Sequence, residues 1–179
     1  MGWTSLHREK GQSNREFFGE LLGPGRRIID SHTEGRTEFY AAVEDLETGE
    51  VWALVVLTRW NRGHWNFTYK EMSETCGPGV DSCPPRLLDR LSPTESEWAN
   101  EWRARCRSRA ERKAANAAAL VDGATVKLPS PLRFSDGSER DTFTYRKAGR
   151  RTGLYADGVR FRIPGWREWP LEVTPPAAS

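Results

Sequence analysis

The run Val51-Trp52-Ala53-Leu54-Val55-Val56-Leu57 constrains the fold more than any other segment of the chain. A strand with one wet face alternates apolar and polar residues, and this run does not alternate. It is also far short of the roughly 18 apolar residues that a membrane helix needs. It therefore predicts a strand buried on both faces and central in its sheet. The stretch 37–46 precedes it across Glu47-Thr48-Gly49-Glu50, so the two read as a β-hairpin over 37–46 and 51–60. Strands around 27–31 and 65–69 would bring the sheet to three or four antiparallel members. Ser13-Asn14-Arg15-Glu16 is a capping box, followed by Phe17, Phe18, Leu21 and Leu22 at helical spacing and closed by Gly23-Pro24. A helix over 14–22 packed on one face of the sheet makes the first part an α+β layer.

The chain changes character after residue 70. Gly77-Pro78-Gly79 and Cys83-Pro84-Pro85 are turn chemistry, and Pro84-Pro85 opens a short helix bearing Leu87, Leu88 and Leu91. Ser92-Pro93-Thr94-Glu95 has the form of a second capping box and predicts a long helix over 93–120. On it, Trp98, Trp102 and Cys106 form one apolar stripe at i, i+4, i+8. Beyond Arg109 the stripe dissolves into an Ala-rich tail that ends at Asp122-Gly123.

From Ala124 onward come short strand-like pieces at 124–128, 132–135, 142–147, 152–155 and 159–163, with a sixth at 171–174. Asp136-Gly137, Gly149 and Asp157-Gly158 separate them. The expected architecture is α+β: an antiparallel sheet with helices over 1–92, a long connecting helix over 93–122 and a small SH3-like β-barrel over 123–174. The tail over 175–179 is expected to be disordered.

Leu, Ile, Val and Phe number only 33 of 179, a fraction usual in disordered chains when net charge is high. Net charge is only +2, and eight Trp, seven Phe and four Tyr supply core area instead. The near-neutrality hides a division, because residues 123–179 carry ten basic and six acidic side chains while residues 1–122 carry 17 and 19. Arg outnumbers Lys 22 to five, which suits phosphate recognition. The same bias, with abundant Ala and three Ile, is also what a GC-rich genome produces.

Cys76, Cys83 and Cys106 are odd in number and irregular in spacing, which fits reduced thiols in a cytoplasm better than a disulfide framework. The first eight residues have no apolar core, so no secretion signal is expected, and no membrane association. Cys76 and Cys83 with His64 lack the spacing of a zinc site, and no metal is expected. Nor is there a Gly-rich phosphate loop, a His-Glu metal helix or a nucleophile elbow, and no cofactor is expected. Tyr69, Lys70 and Glu74, at the end of a strand, offer a proton donor, a cation and a base. They stand without a nucleophile, so an enzyme is the third reading.

Basic residues interleaved with aromatics give the leading candidate site. Arg105, Arg109, Arg112 and Lys113 share a helix face, Arg146, Lys147, Arg150 and Arg151 surround the turn at Gly149, and Arg160 and Arg162 alternate along the next strand beside Trp166. Phosphate pairing plus base stacking is what such a surface offers to nucleic acid.

Met1-Gly2-Trp3-Thr4, Phe17-Phe18, the segment from Asn66 to Glu74 with Gly77-Pro78 and Cys83-Pro84, Phe134-Ser135-Asp136-Gly137 and Arg162-Ile163-Pro164-Gly165-Trp166-Arg167 together resemble a family of small uncharacterised proteins carried by phages, plasmids and integrated elements. The resemblance spans nearly the whole chain and implies a mobile-element context but no chemistry. The expectation is a non-enzymatic accessory protein that binds nucleic acid. The alternative is a protein-binding inhibitor of a host defence complex.

Overall fold

The structure, a computed structural model, describes the chain apart from residues 1, 8, 10, 61–65, 149–150 and 177–179 and the side chains of residues 6, 7, 60, 66, 67 and 148. It divides into two compact units, Met1–Ser108 and Arg109–Ser179. The division falls inside one helix, Glu97–Ala119, so each unit takes part of it. Among the described residues, no helix is long and apolar enough to cross a membrane.

The first unit is built on an antiparallel sheet of β1 (Thr4–His7), β2 (Arg26–Glu34), β3 (Glu38–Asp45), β4 (Val51–Trp60) and β5 (Asn66–Ser73) in the order β1-β5-β4-β3-β2. The doubly apolar run lies in β4, the middle strand. Its residues serve two cores by alternation: Leu54 and Val56 join one cluster, Ala53 and Val55 the other. Helix α1 (Asn14–Leu22) covers the first face with Phe17 and Phe18, and the Phe18 ring meets Phe39 and Tyr69 at 5.3 and 5.4 Å. Its capping box forms as the sequence predicts, with Ser13 Oγ accepting from the Glu16 amide at 3.2 Å and Glu16 Oε2 from the Ser13 amide at 2.7 Å. Helix α2 (Pro85–Leu88) and the first half of α3 (Glu97–Ala119) supply Leu87, Leu88, Trp102 and Cys106 to the second core.

Strand β2 is an edge, and free edges invite foreign pairing. Its register slips between Ile28 and Asp30, and three of its carbonyls take side-chain donors: Arg15 Nη2 reaches Ile28 O at 2.9 Å and Ile29 O at 3.4 Å, and Arg86 Nη2 reaches Ser31 O at 2.9 Å. The outermost strand at the other edge, β1, is an addition to the strands expected from the sequence.

Helix α3 begins at Glu97, four residues later than the capping-box pattern predicts. Ser92 is engaged elsewhere: its hydroxyl accepts from the Val51 amide at 2.9 Å, and its own amide donates to Val51 O at 2.8 Å. Tertiary pairing with β4 thus takes the residue that would have capped a helix. Ser96 Oγ accepts from the Ala99 amide at 3.4 Å instead. The buried stripe also differs from the one read from the sequence. Ala99, Trp102 and Cys106 face the core, while Trp98 is 64% exposed.

The second unit holds β6 (Thr125–Arg133), β7 (Glu139–Ala148), β8 (Arg151–Ala156), β9 (Val159–Phe161) and β10 (Glu172–Thr174), antiparallel in the order β10-β6-β7-β8-β9. No pairing among the described residues joins β10 to β9, so they form an antiparallel sheet and no closed barrel. The pieces expected at 124–128 and 132–135 are one strand, irregular between Lys127 and Leu132. Pro129 and Pro131 lie in that gap and have no amide to give the ladder. Asp157 and Gly158 take φ of 49° and 79°, the left-handed pair that a tight two-residue hairpin needs between β8 and β9. The core comprises Val126, Leu128, Phe143, Tyr145, Leu154, Ile163 and Trp166.

Candidate functional site

The helical cations do not form a free basic face. Arg105, in the first unit, donates from Nη2 to the Pro78 carbonyl at 3.1 Å. Arg109 and Lys113, in the second, pair with the Glu168 carboxylate, and Arg112 Nε donates to the Glu168 carbonyl at 2.8 Å. Asn116 completes the attachment by giving both amide hydrogens, to Arg167 O and Trp169 O, each at 2.8 Å. The helix end therefore uses its cations and one buried amide to hold the 3-10 turn Trp166–Glu168. Trp166 is 7% exposed and packs against Tyr145 at 6.2 Å, which corrects its expected role as a stacking platform.

The other face of this sheet is different. Phe143, Tyr145 and Leu154 point into the core, so alternation turns Thr142, Thr144 and Arg146 of β7 outward, with Arg151, Gly153 and Tyr155 of β8. Tyr155 is the register partner of Arg160 on β9, which shares this face. Arg146 holds its guanidinium 5.9 Å from the centre of the Tyr155 ring. Arg160 donates from Nη2 to the Thr152 carbonyl at 3.0 Å and covers Gly153. On β6 the same face carries Lys127, which meets Glu172 of β10 at 3.4 Å. Among the described residues, Arg146, Arg151 and Arg160 have no carboxylate partner.

Of the remaining expected contacts, Lys147 is exposed and its amide is held by Asp122 Oδ1 at 2.6 Å. Arg162 is exposed just beyond β9. Gly149 and Arg150 lie outside the described residues. Tyr155 and Gly153 are not among the residues expected from the sequence, although the sequence carries a signal for them. A two-residue loop at Asp157-Gly158 sets Ala156 against Val159 and therefore Tyr155 against Arg160.

Tyr69, Lys70 and Glu74 do not converge. Tyr69 packs in the α1 core, where burial first and Glu71 second push its hydroxyl pKa up. Lys70 points to the opposite face by alternation. Glu74 is 2% exposed and accepts from Arg103 Nε at 2.6 Å, Arg103 Nη2 at 2.8 Å and the Ala53 amide at 3.1 Å. A cleft of about 610 Å³ opens beside it, lined also by Arg26, Trp52, Thr75 and Glu95, but the carboxylate at its base is already engaged. Cys83 and Cys106 are buried in the second core and Cys76 is exposed, while His64 lies outside the described residues. Among the described residues, no group of three His, Cys, Asp or Glu is placed to hold a metal ion.

Residues 93–166 match a family described as a domain of unknown function (DUF6927). The match covers less than half the chain, from just before α3 to the first residue of the 3-10 turn that the helix holds. It includes the outward arginines. No curated protein and no solved structure matches the chain.

Proposed function

We propose that this is a non-enzymatic accessory protein of a phage or other mobile element, which binds nucleic acid through the outer face of its second sheet. The observation that carries the reading is the placement of Arg146, Arg151 and Arg160 on one exposed face around Tyr155, without carboxylate partners among the described residues. Adjacent strands lie about 4.8 Å apart, so cations on neighbouring strands of this face stand close enough together to serve one backbone. The expected interface becomes smaller than the full set of basic residues, since those on the helix are used internally. Each phosphate neutralised on a single strand contributes about −0.7 to the slope of log K against log salt concentration. Arg146→Gln and Arg151→Gln should each reduce the slope by about 0.7. Absence of binding to any single- or double-stranded probe at low salt overturns the reading.

One observation favours the protein-binding alternative. Trp98 stands exposed in the first unit, its ring against Gly77, where a Cβ would come within 2.9 Å of it. Exposed tryptophans are common anchors of interfaces. A nuclease-resistant partner captured by the native chain and lost with Trp98→Ala supports that role, and capture indifferent to Trp98 removes it.

A further inference from the structure

We infer that Arg160, laid across Gly153, seats one unpaired base, so that this face selects single-stranded over duplex nucleic acid. The inference rests on the nucleic-acid reading of the same face and adds the class of substrate.

The hairpin sets Arg160 beside Tyr155, yet its side chain does not stand away from the sheet. A Cβ built on Gly153 would lie 2.7 Å from Arg160 Nε and 3.4 Å from both Cγ and Cδ. Three consecutive side-chain atoms thus run along the backbone of β8, in space that only glycine leaves open. The Nη2 bond to Thr152 O fixes the far end. Arg160 nonetheless remains exposed, so a planar cation is held low on the sheet with its surface open to solvent. An ion pair to a phosphate needs none of this, because a mobile arginine reaches a phosphate equally well. A fixed guanidinium plane is what base stacking uses, since the fork is pre-organised and its planar surface matches an aromatic base.

Tyr155 and Arg146 extend the same surface, with Arg146 near the tyrosine ring and facing Gly153 across the strands. Base faces are available only where bases are unpaired, because a duplex shows proteins its groove edges and phosphates. A broad sheet face reads groove edges poorly. It suits an extended strand whose bases lie down on it and whose phosphates meet Arg146 and Arg151.

The test is fluorescence anisotropy on the full chain with three probes of equal phosphate number: oligothymidylate, an abasic strand of the same length and a hairpin duplex. Stacking of one base is worth about tenfold in affinity, so oligothymidylate should bind about tenfold more tightly than the abasic strand and more tightly than the duplex. Arg160→Lys keeps the charge but loses the plane, and should abolish the advantage over the abasic strand while abasic binding changes less than about twofold. Gly153→Ala should do the same by displacing Arg160, the flexible group that must move. Retained circular dichroism and melting temperature confirm that both variants fold. Equal, salt-dependent binding of all three probes overturns the base seat and leaves a polyanion-binding face. Tighter binding of the duplex overturns the single-strand preference. No binding of any probe overturns the parent reading as well.

Discussion

Arg103 grips Glu74 with a two-bond fork, Nε to Oε2 at 2.6 Å and Nη2 to Oε1 at 2.8 Å, in a place where Glu74 is 2% and Arg103 14% exposed. Oε1 also accepts from the Ala53 amide, and Arg103 Nη1 donates to Ser92 O at 2.8 Å. Four parts of the chain meet in this cluster: β4, the 3-10 turn Glu74–Cys76, the segment around Ser92 and helix α3. A buried charge is tolerated only when its lone pairs and protons find partners, and here both ions do. Glu74 is therefore a clasp for the first unit rather than a catalytic base.

Removing one partner of such a pair leaves the other charge buried and uncompensated. Glu74→Ala should lower unfolding free energy in urea by about 3–5 kcal/mol. Arg103→Lys, which keeps charge but loses the fork, should cost about 1–3 kcal/mol. A double-mutant cycle with Glu74→Ala and Arg103→Ala should show coupling above about 1 kcal/mol, and additive losses would contradict the clasp.

The two tryptophans of α3 should separate in the same measurement. Trp102 is fully buried and donates from Nε1 to Val80 O at 2.8 Å, so Trp102→Ala should cost about 3–5 kcal/mol. Trp98 is exposed, and Trp98→Ala should cost less than about 1 kcal/mol. Equal costs would restore the i, i+4, i+8 stripe read from the sequence.

Thiol chemistry should distinguish one cysteine from the other two. Cys76 is exposed, whereas Cys83 and Cys106 are buried in the second core. Burial pushes the Cys83 thiol well above its ordinary pKa, with a smaller contribution from Cys106 beside it. An aromatic disulfide reagent at pH 8 should therefore modify one thiol promptly and the others only on addition of denaturant. Loss of the prompt reaction in Cys76→Ser confirms the assignment, and two prompt thiols would overturn the burial.

Acid should weaken the first unit partly through Asp30. Burial raises this carboxyl, but bonds from Arg86 and the Ser31 amide outweigh it, and the net pKa lies below 3.8. A carboxyl with a lowered folded pKa contributes stability above its unfolded value and loses it as pH falls through the folded one. Asp30→Asn should thus be less stable than the native chain at pH 7. The difference should shrink steadily as pH falls below the ordinary carboxyl range and through the lowered folded pKa, and a difference that does not change with pH would assign the effect to something other than ionisation.

Local chemistry was legible in the sequence wherever neighbouring residues settle it among themselves. Ser13 and Glu16 cap α1 because both partners lie within one turn, and Asp157-Gly158 closes a hairpin because its backbone accepts positive φ. Ser92-Pro93-Thr94-Glu95 satisfies a capping pattern equally well but does not cap, since Val51 takes its backbone and hydroxyl. The burial of Trp98 and Ala99 has a separate cause: the angular spacing of Trp98, Trp102 and Cys106 is the same wherever the helix begins, and tertiary packing buries Ala99 while Trp98, at one edge of the stripe, stays exposed.

The candidate interface divides along the same line. The excess of positive charge after residue 122 is a property of composition, and the outward positions of Arg146, Arg151 and Arg160 follow from strand alternation. The loss of Arg109, Arg112 and Lys113 from the basic surface does not, because it depends on Glu168, more than 50 residues away. A sequence counts charges, but only the fold says which are already paired.

What the sequence determined alone is a chain with a central, doubly buried strand, a capped first helix and a basic, strand-rich second part. These follow from periodicity and from backbone preferences that act over a few residues. Tertiary structure decided where the long helix starts, that Trp166 is core, that Glu74 is a buried clasp, and that Gly153 leaves room for Arg160. Each of these depends on which distant group competes for the same hydrogen bond or the same volume, and neither is fixed until the chain has folded.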